Sequence, residues 1–293
     1  MTRNAETLMP TRDGRRLAVR SSGPVDGIPL LFHHGTPGAG RPFRAFERAA
    51  HARGCELITY SRAGYGESTR RPGRSVADVA SDMEDVLDHL GVTRCLVVGM
   101  SGGGPHALAT AARLPGRVAG VLVIAGLMPD GLPGRELTDG MGEGNVVEFG
   151  LARQGEAALR AELEREAVAL RDATAEELGE GMASVLSPAD RAALDRELAE
   201  DLAGQCAEGL RPGVDGWLDD DLAFVRPWGF SVEEITAPVF VRQGEQDLMV
   251  PPAHGEWLAR NIPHAVLHLE PDQGHLSFIA RPDAMIEELV SVF

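Results

Sequence analysis

Residues 95–114 read CLVVGMSGGGPHALATAARL. The apolar run Cys95 to Val98 leads through Gly99-Met100-Ser101-Gly102-Gly103-Gly104 into a helix-compatible segment rich in Ala and Leu. A strand that meets a helix through G-x-S-x-G forces its serine onto a sharp, strained turn, with the hydroxyl exposed above the strand ends. Side chains at Gly99 or Gly103 would collide with neighbouring backbone there, so both positions require glycine. The Gly102 N–H, at a helix start, points to where an oxyanion would form. A glycine-rich turn holding an ordinary serine is the plainer alternative, and the strand and helix flanks weigh against it.

Outward from this elbow, short apolar runs alternate with helical patterns, the signature of βαβ units and a mostly parallel sheet. The runs are Ile28 to Phe32, Glu56 to Tyr60, Cys95 to Val98, Val118 to Ala125, Val239 to Val241 and Val266 to Leu269. Val76, Val79, Met83, Val86, Leu87 and Leu90 recur at helical spacing, with Ser75 as N-cap and Gly91 as the stop. The opening stretch, Thr7 to Arg20 with a turn at Asp13-Gly14, reads as an antiparallel hairpin.

Between about Leu127 and Phe230 the strand signal gives way to Ala, Glu, Leu and Arg. Thr174 with Glu177 fits a capping box, and Ser187-Pro188-Ala189-Asp190 fits an N-cap with proline at the first helical position. The expected organisation is an α/β core over residues 1–126 and 231–293, interrupted by an all-helical cap over 127–230. A separate helical domain is the alternative.

Bulk properties narrow the function. A chain of 293 residues with 43% hydrophobic and 25% charged residues is ordinary for a globular protein. Its formal net charge of −16 argues against nucleic acid as a partner, because phosphate binding needs clustered cations. No apolar stretch approaches a membrane span and the N-terminus lacks an uninterrupted apolar leader core, so the expectation is a cytoplasmic protein with no membrane partner. Cys55, Cys95 and Cys206 have no metal-ligand spacing, and no H-E-x-x-H, C-x-x-C or phosphate-loop motif occurs; neither metal nor cofactor is implied. Asp219-Asp220-Asp221 reads as a solvated or capping face, alternatively as part of a seam with Trp217 and Trp228-Gly229-Phe230 between cap and core. The oligomeric state is not legible.

A serine hydroxyl needs a base to take its proton, and the base needs a third group to fix its tautomer. Asp247, in GEQD after the run VFV, and His275, in DQGH after VLHL, both fall in loops after strand C-termini, where open α/β sheets place ligands. Ser, Asp, His is the chain order expected for this arrangement. Asp130, after the run VLVIA, competes for the acid role. His33 and His34 read as braces of their loop, and the other histidines as helix, strand or surface positions.

With these motifs the chain resembles the α/β-hydrolase superfamily. His33-His34-Gly35-Thr36-Pro37 is similar to its oxyanion loop, which implies the Thr36 N–H as a second donor beside Gly102. Tyr60-Ser61-Arg62-Ala63-Gly64-Tyr65-Gly66-Glu67-Ser68 resembles the D-x-x-G-x-G-x-S segment, with Ser61 where the family usually has Asp, so different hydrogen bonds must hold that loop. Members that attack through an aspartate, or protonate an epoxide with lid tyrosines, are disfavoured because the elbow carries Ser101 and the only tyrosines are Tyr60 and Tyr65. Haloperoxidase-like members rank low because Gly102 follows the serine.

The expected activity is hydrolysis of a small carboxylic ester, lactone or thioester through an acyl-enzyme on Ser101, in an apolar slot supplied by Met100, Leu127, Met128, Leu248 and Met249. A proline-iminopeptidase-like amidase is the alternative, suggested by the HGTPG loop and an acidic cap that could bind a free amine. A non-catalytic binding protein of the same fold is the third.

Overall fold

The computed structural model describes residues 2–182 and 185–293. Residues 1, 183 and 184, which fall in the ranges assigned above to core and cap, lie outside the described residues. Eight strands form one sheet: β1 (Thr2–Pro10), β2 (Arg16–Pro24), β3 (Ile28–His33), β4 (Cys55–Tyr60), β5 (Cys95–Met100), β6 (Val118–Ile124), β7 (Val239–Gly244) and β8 (Ala265–Glu270). Their order is β1-β2-β4-β3-β5-β6-β7-β8. The hairpin β1-β2 is antiparallel and joins β4 antiparallel, while β3 to β8 pair in parallel.

The helices are α1 (Arg44–Ala52), α2 (Val79–Leu90), α3 (Gly103–Arg113), α4 (Glu143–Gln154), α5 (Glu156–Arg171), α6 (Ala175–Gly181), α7 (Pro188–Ala193), α8 (Arg196–Gly209), α9 (Asp215–Phe224), α10 (Pro252–Asn261), α11 (Ser277–Ala280) and α12 (Asp283–Val290). Helices α4 to α9 fill the connection between β6 and β7, the region whose strand signal vanishes in the sequence. Among the described residues, no helix is long and apolar enough to cross a membrane.

The continuous apolar runs follow from a sheet covered on both faces. Leu31, Ile58, Val97, Val121 and Val241 point to one side and pack with α2, α3 and Leu258. Their chain neighbours Leu30, Leu57, Leu96, Leu122 and Phe240 point to the other, against Phe46 of α1 and Ile286 and Leu289 of α12. Side chains alternate with period two, so strands buried on both faces carry no polar alternation. The connection between β6 and β7 has its own cluster around Leu159, Leu163, Trp217 and Leu222, into which Tyr65 inserts.

Local signals act as their chemistry dictates. Ser75 and Asp78 form a reciprocal capping box, and Gly91 takes φ 69° at the end of α2. Thr174–Glu177 and Ser187–Asp190 cap α6 and α7 in the same way.

Candidate active site

Ser101 stands at φ 53° between β5 and α3, in the left-handed region that a residue with a side chain enters only at a cost. Its backbone is fixed by Ser101 N donating to Ile124 O (2.8 Å) and by Gly104 N donating to Ser101 O (2.8 Å). A Cβ on Gly103 would lie 2.2 Å from the His33 carbonyl oxygen, and one on Gly99 2.3 Å from that of Gly103. Glycine is what lets the strand, turn and helix close on each other.

His275 and Asp247 come together from the loops after β8 and β7. His275 Nδ1 lies 2.8 Å from Asp247 Oδ2, both residues being buried. Asp247 is held in turn: its Oδ1 accepts from Met249 N (2.9 Å) and Val250 N (2.8 Å), and its Oδ2 from Gln243 Nε2 (3.3 Å). A carboxylate on Nδ1 leaves Nε2 for the substrate side. Asp130 is engaged elsewhere, in a bidentate ion pair with Arg153.

Electrostatics separate the five buried histidines. Burial pushes His33 and His34 well below the ordinary imidazole value, His106 to about 3 and His254 to about 4. His275 is raised: burial opposes the imidazolium, but the charge and hydrogen bond of Asp247, with a contribution from Asp190, outweigh it. Of these five, His275 is the one whose protonated form its surroundings stabilise, as proton transfer from a serine demands.

Thr36 and Gly102 sit against each other, since a Cβ on Gly102 would meet Thr36 Oγ1 at 2.3 Å. Beneath the Thr36 loop lies Arg62, 1% exposed. It donates to His34 O, to Gly35 O (2.9 Å) and to Thr36 Oγ1 (3.0 Å). Its charge is matched by Asp220 of α9, which also accepts from Thr36 Oγ1 (2.8 Å), Tyr65 Oη (2.8 Å) and Arg74 Nη2 (2.7 Å). Ser61 accepts from Gly40 N (3.0 Å) through its hydroxyl and receives Ser68 Oγ on its carbonyl (2.6 Å). Those are the hydrogen bonds that hold a loop lacking the usual Asp. His34 and His33 brace as expected: His34 Nε2 accepts from Arg62 N (3.0 Å), and His33 Nδ1 contacts Tyr60 Oη at 2.7 Å.

The acidic triplet corrects the expectation of a solvated face: Asp219, Asp220 and Asp221 are all buried, at 2%, 0% and 1% exposure. A helix flanked by other chain on all sides has no solvent face, and each carboxyl has found a partner. Asp219 pairs with Arg70, Asp220 with Arg62 and Arg74, and Asp221 with Glu148. Burial and the charge of Glu148 hold the Asp221 carboxyl well above the usual range, and burial raises Glu148 as well.

Ser101 and His275 open on one cavity of about 250 Å³. Met100, Phe43, Leu170, Leu202, Met249 and Leu276 give it apolar walls, and Asn145, Glu148, Glu166 and Gln205 its polar features. The expected slot is corrected in part. Met100 and Met249 line it, but Leu127 and Met128 are buried in the core behind the site, and Leu248 is 41% exposed and outside the lining. Proximity in sequence to strand ends could not tell an inward from an outward side chain. Glu148 and Gln205 carry no local signal, and the pairing of Arg62 with Asp220 is invisible in the sequence because the two lie 158 residues apart; an arginine next to Ser61 is the one local sign.

The sequence profile of the Alpha/beta hydrolase family matches residues 30–288. The chain is 37% identical over 122 residues to "Putative carbamate hydrolase RutD" of Caulobacter segnis, covering 36% of this chain and 45% of that protein. It is 31% identical over 134 residues to "Bifunctional esterase/perhydrolase DCH" of Acinetobacter calcoaceticus, covering 42% and 49%. The chain thus spans less than half the length of these curated relatives. Among solved structures, a thermophilic esterase from Thermogutta terrifontis superposes with a TM-score of 0.68 at 22% identity, covering 99% of this chain and 97% of the other.

Proposed function

The chain belongs to the Alpha/beta hydrolase family, and from that premise we propose that it hydrolyses a small carboxylic ester, lactone or thioester through an acyl-enzyme on Ser101. The observation that carries this is a strained serine sharing one cavity with a histidine whose Nδ1 is held by a buried carboxylate. Ser101 Oγ attacks the acyl carbon as His275 Nε2 takes its proton, and the oxyanion forms against the N–H groups of Thr36 and Gly102. The imidazolium then protonates the departing alkoxide or thiolate. Water, deprotonated by His275, releases the acid and restores Ser101. The names of the similar esterase/perhydrolase and carbamate hydrolase support acyl chemistry, and a cavity near the lower end of the ligand-site range favours a small substrate.

A second reading, amide or peptide cleavage beside a free amine, gains support from one observation. Glu148, fixed by Trp217 Nε1 at 2.9 Å, and Glu166 line the cavity, and among the described residues no arginine lines it. A desolvated carboxylate held in place is what an ammonium group needs.

Intact-mass detection of a phosphonylated Ser101 after a fluorophosphonate probe tests the nucleophile and sets the enzyme apart from a non-catalytic binding protein. A panel of p-nitrophenyl esters, lactones and aminoacyl anilides then reads substrate class. Absence of labelling and turnover by folded protein would overturn the proposal; prolyl anilide outrunning acetyl anilide with the same leaving group would favour the amine reading.

A further inference from the structure

In the sequence Asp190 is the last residue of the N-cap segment Ser187-Pro188-Ala189-Asp190, and its local role in the fold, the N3 partner of a capping box, needs only Ser187. In the structure it does more. Fully buried, it accepts three consecutive backbone N–H groups from a loop 85 residues later: His275 N (3.0 Å) on Oδ2, and Leu276 N (2.7 Å) and Ser277 N (3.0 Å) on Oδ1. Ser187 Oγ donates to Oδ2 as well (2.9 Å). The residue before His275 is shaped for the same contact, because a Cβ on Gly274 would lie 2.3 Å from Asp190 Oδ2 and 2.2 Å from Ser187 Oγ. Gly274 N turns back onto Ser277 Oγ (2.9 Å). The loop is wrapped around one carboxylate.

We propose that Asp190, contributed by the helical connection between β6 and β7, is a positioning residue for His275, fixing its backbone while Asp247 fixes its ring. This rests on the Ser101–His275 reading above. Two anchors are needed because a ring held only through Nδ1 can still swing about its own main chain, and small misplacements of a proton acceptor are costly in rate. Asp247 lies in the loop that follows β7 of the sheet, whereas Asp190 lies in α7. The helical connection is therefore part of the base's support as well as a wall of the cavity.

The test uses the full chain with Asp190→Asn, which keeps the shape but loses the charge and one acceptor. We expect kcat to fall about 10²-fold with KM within about twofold of wild type. The acid limb of the pH–rate profile should move to lower pH, since of the two carboxylates acting on the imidazolium, Asp247 and Asp190, one would be gone. Ser187→Ala, which removes the cap but leaves the carboxylate, should lower thermal stability without moving the limb. If Asp190→Asn folds and retains wild-type kcat and limb, the proposal is overturned. If it does not fold, Gly274→Ala replaces it, driving a methyl into the contact with all charges kept: a loss of kcat at constant KM supports the positioning role and wild-type kcat overturns it. A wild-type protein that neither labels nor turns over any ester would sink the underlying reading instead, so the two failures are distinguishable.

Discussion

Removing the Asp220 charge should be among the most damaging single changes available to this chain. The carboxylate is inaccessible to solvent and is the counter-ion of two guanidiniums, Arg62 and Arg74, whose side chains are 1% and 5% exposed. In Asp220→Leu, Arg62 keeps the carbonyls of His34 and Gly35, and Arg74 keeps that of Gly216 (3.2 Å), but neither faces a negative charge at Asp220. Breaking a buried pair from one side costs about 3–5 kcal/mol, a large part of the roughly 5–15 kcal/mol that keeps a domain folded. At about 2 °C per kcal/mol for a chain of this size, the melting midpoint should drop by about 6–10 °C. The double variant Arg62→Met/Asp220→Leu should recover part of the loss, because one of the two stranded charges has gone. Thermal melts at pH 7 read both. The charges of Arg62 and Arg74 hold the Asp220 carboxyl well below its usual range, so its contribution is complete above about pH 3.9. It is lost as pH falls from there through the lowered folded value, and the gap between wild type and variant should narrow only in that acid window. A single variant within 2 °C of wild type at pH 7, or a double variant no better than the single, would refute the electrostatic reasoning.

Other outcomes follow from the same geometry. Ser101→Ala should abolish phosphonylation and lower turnover by about 10³-fold or more while the melting curve stays close to wild type, because the hydroxyl contributes little packing; near-normal turnover would remove Ser101 from the chemistry. Activity should rise with pH through a midpoint above about 6.5, since His275 must be neutral to accept a proton and its surroundings raise its pKa. The sequence alone places that midpoint at about 6 to 7, and a midpoint below about 6.5 would contradict the burial and charge argument. Asp247→Asn should cost far more turnover than Asp130→Asn, whose carboxylate is occupied by Arg153; the reverse ranking would transfer the acid role. Glu148→Gln should leave acetyl ester turnover within about threefold but weaken any preference for amine-bearing anilides by about tenfold, and an unchanged preference would exclude Glu148 as the ammonium partner.

What the chain declares locally and what it declares only when folded divide along the range of the forces involved. The strands, the elbow at Ser101 and the caps at Ser75, Thr174 and Ser187 are legible because each depends on neighbours within a few residues: a hydrophobic period, a glycine that tolerates close backbone, a hydroxyl that meets an N–H three positions on. His275 and Asp247 are legible as candidates for the same reason, each lying in a loop just after a strand. That His275 meets Asp247 and not Asp130 is a matter of distance across β7 and β8, which spacing along the chain does not measure.

The acidic triplet shows where sequence reasoning stops. Three adjacent aspartates are the composition of a solvated face, and only packing of α9 between the sheet's loops and its neighbouring helices turns them inward. Burial then makes a partner for each obligatory, and the partners stand up to 158 residues away, as Arg62 does from Asp220. Asp190 is the clearest case, since the same carboxylate answers a local signal from Ser187 and a distant one from the His275 loop. The sequence by itself determined the apolar strand runs, the elbow, the helix starts at Ser75, Thr174 and Ser187 and the residue types able to do acyl chemistry, because those rest on covalent neighbourhood and periodicity. Only the tertiary structure decided which charges are desolvated and which side chains face the cavity, because desolvation belongs to the surroundings a residue acquires and not to the residue.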